Sequence, residues 1–170
     1  MSNFRRRIMM ASGKMEKTYI QFEDENAEKA CAEKWGDGIG ITEKQAKNVT
    51  SFSTYEFNNK EIQYFDELKY FEGITVIPQM LISNNPVVKV TIPVNVTDIQ
   101  NYWFRNNNNN QNVRIILLPK NPPTLGWASF NGIPSDAIFY VPDDSVESYK
   151  TAATWSSRAD YILPVSKLIE

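Results

Sequence analysis

Short β-branched runs, each closed by a proline, recur along the middle of the chain and restrict its fold more than any other feature. They are Ile74-Thr75-Val76-Ile77-Pro78, Val88-Lys89-Val90-Thr91-Ile92-Pro93, Val113-Arg114-Ile115-Ile116-Leu117-Leu118-Pro119 and Ala137-Ile138-Phe139-Tyr140-Val141-Pro142. β-Branched residues favour extended backbone, and a proline removes a ladder donor and stops the strand. Pro93, Pro119 and Pro142 stand 26 and 23 residues apart. A strand-then-proline unit returning every 20–29 residues or so (about that period) is the signature of stacked repeats. One unit cannot bury its own apolar face, so neighbouring turns must stack. The alternation Val88, Val90, Ile92 turns one row of side chains inward. With 170 residues, the chain can bury roughly 70% of its unfolded surface and needs no disulfide or metal staple.

The flanks have a different period. In residues 18–57, Phe22, Ala27, Ala30, Cys31 and Trp35 fall close to one helical stripe, with Glu23, Glu28, Lys29, Glu33 and Lys34 elsewhere. Asp24 or Asn26 caps the start, and Gly36, Gly38 and Gly40 end the helix. Thr42 with Gln45 three residues on is a capping-box pattern and predicts a second helix over Glu43–Asn48. Residues 58–142 hold the strand-and-proline region. Residues 143–170 return to helix: Asp143 caps a segment carrying Ser145, Val146, Tyr149 and Lys150, and Ser156 caps a last turn with Ala159 and Ile162. Tyr161-Ile162-Leu163-Pro164-Val165 closes the chain as an extended segment, and the amphipathic helix covers the open end of the stack. Residues 1–17 are polar, basic and methionine-rich, with Gly13 as a breaker. They form an arm, either a loose terminus or a docking segment that orders on a partner. A third reading is a nucleic-acid contact through Arg5, Arg6 and Arg7.

Between the second and third runs lies Tyr102-Trp103-Phe104-Arg105, followed by Asn106–Asn110, Gln111 and Asn112. The asparagine tract is low in complexity and predicts a loop. The three aromatic residues either fill the core or form an exposed patch beside that loop. Trp127 and Phe130, after Pro122-Pro123 and Gly126, read as core.

Composition removes several chemistries. The chain has no histidine, which excludes Ser-His-Asp and Cys-His nucleophile systems and His-ligated zinc. Its one cysteine, Cys31, lies on the apolar stripe and reads as a small buried hydrophobe. A formal net charge of -2 disfavours a strongly basic nucleic-acid binder. Asp37-Gly38-Ile39-Gly40-Ile41-Thr42-Glu43 is similar to a calcium loop, but no register places oxygens at positions 1, 3, 5 and 12, so it reads as a structural turn. Glu23-Asp24-Glu25 and Asp143-Asp144 read as capping and solvated residues. The basic start runs into Ala11, Ser12, Gly13, Lys14 and Glu16 rather than an apolar stretch, so export by an ordinary signal is not expected. Ile115–Leu118 is far too short to span a bilayer. Without export, Asn48-Val49-Thr50 and Asn95-Val96-Thr97 are chance matches to the glycosylation pattern.

Val88-x-Val90-x-Ile92-Pro93-x-x-Val96-x-x-Ile99 resembles one turn of the BspA-like leucine-rich repeats abundant in Bacteroidetes. Pro122–Gly126, Ala137–Lys150, Trp155 and Ala159–Ile162 resemble the closing cap of that family, and Cys31–Gly38 through Phe65–Phe71 resembles its opening segment. The basic, methionine-rich start resembles the openings of small proteins carried by Bacteroides phages and prophages. Together the period and the resemblance imply an α+β fold: a short leucine-rich-repeat-like β solenoid with an N-terminal helical element and a C-terminal helical cap. They imply a non-enzymatic structural or interaction module, first a bacteriophage virion component (a tail, fibre or capsid-decorating protein). The alternatives are a bacterial surface adhesion module that binds protein or glycan, and a cytoplasmic scaffold. Expected partners are other virion proteins or a cell-surface protein or glycan, with self-association as an option. No nucleic acid, membrane insertion, cofactor or metal is expected. Expected contact residues are Arg5, Arg6 and Arg7 on the docking side. On the outward side they are Tyr102, Trp103, Arg105 and the Asn106–Asn112 loop, Asn108 among them.

Overall fold

The proline-closed runs become strands, but they are divided between two sheets. The computed structural model describes residues 17–105 and 112–169. Its strands are β1 (Tyr64–Phe65), β2 (Val76–Ile77), β3 (Lys89–Ile92), β4 (Asp98–Ile99), β5 (Arg114–Leu117), β6 (Thr124–Leu125), β7 (Ile138–Val141) and β8 (Ile162–Pro164). One sheet has the order β1-β3-β5-β7-β8 and the other β2-β4-β6. Every pairing is parallel.

This topology corrects the expected fold class. The expected α+β leucine-rich-repeat-like solenoid places the proline-closed runs together on one short parallel sheet. The chain instead forms a small α/β domain with two parallel sheets and few helices. The Ile74–Ile77 run supplies β2, which pairs with Asp98–Ile99 and not with β3. The neighbour of β3 is the two-residue strand β1. Two-residue strands have no measurable period, so the second sheet left no alternation to read.

The core lies between the sheets. Phe65, Val90, Ile115, Phe139 and Ile162 stand in register across the larger sheet, and all are fully buried. Ile77 and Ile99 are partnered in the smaller sheet and buried from the other side. Leu68, Phe71, Ile74, Val96 and Phe104 join them in one apolar cluster. Each such side chain contributes about 1.5–3 kcal/mol when fully buried.

The N-terminal helices follow their capping signals. α1 (Glu25–Trp35) starts at Asp24, and α2 (Glu43–Lys47) starts at Thr42 with the reciprocal Thr42–Gln45 capping box in place. Asp24 does more than cap. Its Oδ1 accepts from the backbone N–H groups of Asn26 (2.9 Å) and Ala27 (3.2 Å), and its Oδ2 from those of Gln63 (2.7 Å) and Tyr64 (3.2 Å). One carboxylate thus ties the start of α1 to β1. Trp35 closes α1 onto the core through edge and tilted contacts with Phe52, Phe57 and Phe71.

At the other end, a 3₁₀ turn (Asp143–Ser145) leads into α3 (Val146–Thr151), and a second (Trp155–Tyr161) leads into β8. Neither expected cap forms there. No side chain caps either turn or α3, and Asp143 Oδ1 instead accepts from the N–H of Ser166 at 3.1 Å. Packing holds this end: Trp155 meets Phe130, Phe139 and Tyr149 edge-on. Among the described residues, no helix is long and apolar enough to cross a membrane.

Candidate interaction surface

Three turns lie side by side where the smaller sheet ends. They comprise residues 78–84, 100–105 and 126–131. Backbone bonds join them: the Ile82 N–H donates to Trp103 O (3.0 Å), the Asn84 N–H to Arg105 O (2.9 Å) and the Tyr102 N–H to Ala128 O (3.2 Å). Two buried hydroxyls brace them. Ser83 Oγ donates to Tyr102 O at 3.0 Å and accepts from the Arg105 N–H at 3.1 Å. Ser129 Oγ, with one hydrogen to donate, lies 2.8 Å from Gly126 O and 3.0 Å from Ile99 O. Gly126 permits the close approach of the last two turns. A Cβ there would sit 2.1 Å from Asn101 Oδ1, closer than any side chain could be.

This packing presents an aromatic pair and a cation. Trp127 is 81% exposed. Its ring meets the Tyr102 ring edge-on at 5.5 Å, and the Arg105 guanidinium lies 5.1 Å from the centre of the Tyr102 ring. Tyr102 holds a φ of +56°. A bulky residue in that region costs about 1–2 kcal/mol, and Met80 and Asn84 on the neighbouring turn share the conformation, as do Tyr55 and others elsewhere.

The expected contact residues are placed unevenly. Tyr102 is half-buried and Arg105 exposed, both in this cluster. Trp103 is corrected: it is 2% exposed and stacks edge-on against buried Phe104, so it is a core residue. Trp127 takes its place, although its sequence neighbourhood reads as core. A half-turn after Gly126 was the one signal that its side chain could face outward. Arg5, Arg6, Arg7 and Asn108 lie outside the described residues.

A second feature is a groove of about 1430 Å³ beside the larger sheet. Tyr64, Lys89 and Arg114, in register on β1, β3 and β5, line it with Glu67 and Lys69. Some of its charges are engaged. Asp66 takes Lys69, Lys89 and the Thr91 hydroxyl, and Arg114 Nη1 donates to Ile169 O at 2.9 Å. At its rim Asp37 Oδ2 accepts from Lys17 Nζ (2.6 Å) and Tyr19 OH (2.7 Å), while Oδ1 takes the N–H groups of Ile39 and Gly40. These partners hold the Asp37 carboxyl well below the usual carboxylate range. Both Asp37 oxygens of the calcium-loop look-alike are therefore engaged, one by Lys17 and Tyr19 and the other by N–H groups of the turn itself. Cys31 is buried, and burial pushes its thiol up, away from thiolate chemistry.

Glu67 is the exception in the groove. It is 7% exposed, its Oε1 accepts from the Glu23 N–H at 3.1 Å, and among the described residues its Oε2 has no partner. Burial first, and then the charge of neighbouring Asp66, raises its carboxyl above the ordinary value. A carboxyl raised in the folded state binds more protons there than in the unfolded chain. Its stabilisation is full below the unfolded value and fades as pH rises through the folded one. Glu67→Gln is expected to be more stable than the parent at pH 7, by on the order of 1 kcal/mol. The gap should close as pH falls toward 4.5, the carboxyl's ordinary value. Urea unfolding of both proteins across that range measures it, and a gap independent of pH would refute the assignment.

No protein-family model matches the chain, and the search of curated proteins found no match.

Proposed function

We propose that the protein is a non-enzymatic interaction module of a bacteriophage particle. In this role residues 1–17, with Arg5, Arg6 and Arg7, dock on the particle, and the two-sheet body carries the Tyr102–Trp127–Arg105 cluster outward to the host cell. The observation that carries the interaction role is the exposed Trp127 ring, set edge-on against Tyr102, whose own ring Arg105 covers, on braced turns. Tryptophan, tyrosine and arginine are the residues that dominate binding energy at interfaces. A non-catalytic role is supported by the lack of histidine and by a sole cysteine that is buried. The particle assignment rests on the basic start of the chain and on its resemblance to phage proteins.

Mass spectrometry of gradient-purified particles tests this reading. The full chain is expected to co-sediment with particles, and a chain lacking residues 1–17 to stay in the supernatant. Full-length protein found only in the supernatant would defeat the particle role. The cluster would then serve a module on the bacterial surface.

A further inference from the structure

The composition of the Trp127 face points to a chemical class of partner. We propose that it binds a neutral oligosaccharide, with Trp127 as the platform on which a sugar ring stacks. The inference rests on the interaction role given to this face above.

The chain is 22% charged overall, yet across residues 78–84, 100–105 and 126–131 the single charged residue is Arg105. In place of charges these turns expose amides, Gln79, Asn84, Gln100 and Asn131, of which Asn84 Nδ2 donates to Asn58 Oδ1 and Gln100 Oε1 accepts from the Gln79 N–H, leaving the other amide atoms to face solvent. An amide carries donor and acceptor together, which matches a hydroxyl that is both. A sugar ring adds a flat face of C–H groups, and the flat apolar face of an indole meets it. A polyanion would need several cations here and finds one. A protein partner would bury about 800 Å² of this surface, with further large anchors around the tryptophan. Trp127 instead stands beside half-buried Tyr102 and buried Ala128 and Ser129, with no exposed aliphatic side chain on the three turns. An uncharged, hydroxyl-rich ligand with one apolar face is the chemistry that fits.

Native gels containing dextran, yeast mannan, galactomannan or xyloglucan test it, with polygalacturonate as the anionic control. The full chain is expected to be slowed by at least one neutral polymer. Trp127→Ala should weaken that binding about tenfold or more, and Trp127→Phe should keep part of it. Tyr55→Ala, which removes an exposed aromatic ring elsewhere, should change nothing. Trp127 is also the exposed tryptophan among Trp35, Trp103, Trp127 and Trp155. The active polymer should therefore protect fluorescence from iodide quenching in the parent and not in Trp127→Ala. The inference is overturned if no neutral polymer slows the protein, if Trp127→Ala is slowed equally, or if polygalacturonate alone acts. It is also overturned if Trp127→Ala converts a dimer to a monomer without changing polymer binding, which would make the face a self-contact. If no polymer binds but Trp127→Ala still abolishes attachment to host cells, the saccharide fails and the interaction role stands. If Trp127→Ala changes neither, both fail.

Discussion

Asn85→Ala is expected to lower the unfolding free energy by about 3–5 kcal/mol, a large share of the roughly 5–15 kcal/mol that holds a domain together. The side chain is 3% exposed and serves five backbone groups. Its Oδ1 accepts from the N–H groups of Lys60 (2.9 Å) and Ile62 (3.1 Å). Its Nδ2 faces the carbonyl oxygens of Phe57 (2.7 Å), Ile82 (2.9 Å) and Ser83 (3.0 Å). The chain leading to β1 and the chain leading to β3 are joined through this one amide. Alanine strands those groups away from water. Asn85→Asp is the sharper variant, because it turns a carboxylate toward three carbonyl oxygens. Protonation would restore one donor, so its folded carboxyl is raised and its deficit should shrink as pH falls from 7 toward 4. Urea titrations at both pH values measure this. A loss below about 1 kcal/mol for Asn85→Ala would mean that water replaces the amide.

Trp155→Ala should cost a similar amount, about 3–5 kcal/mol. The indole is 2% exposed, and Nε1 donates to Pro123 O at 2.8 Å. Its neighbour Tyr149 donates to Pro119 O, also at 2.8 Å. The two side chains fasten the C-terminal turns to the segment after β5. A melting temperature lower by about 10 °C is expected at this chain length. Trp155→Phe keeps the ring contacts and loses the N–H bond, so its loss should be about 1–3 kcal/mol. Equal losses for both variants would show that the hydrogen bond, and not the packed ring, fastens this end.

What could be read in advance followed the length of each element. The eleven-residue α1 and the Thr42–Gln45 box announce themselves through spacing and side-chain chemistry. The four-residue strands β3 and β7 end directly before Pro93 and Pro142, and β5 ends two residues before Pro119. The two-residue strands carry no alternation, so the smaller sheet, and with it the α/β class, leaves no periodic mark in the sequence. The surface was half legible. Tyr102 and Arg105 were named from their place beside the asparagine tract. Trp103 and Trp127 exchanged roles because a turn, unlike a helix or strand, fixes no period of inside and outside. Asn85 and Glu67 gave no signal, since a buried polar residue looks like a surface one until its neighbours are in place.

The choice between the Trp127 face and the groove is tested most directly by attachment of fluorescently labelled protein to intact host cells. Trp127→Ala is expected to lose attachment, while Lys89→Ala, in the groove, should attach like the parent. Loss with Lys89→Ala and full attachment with Trp127→Ala would contradict the assignment and move the contact surface to the outer side of the larger sheet.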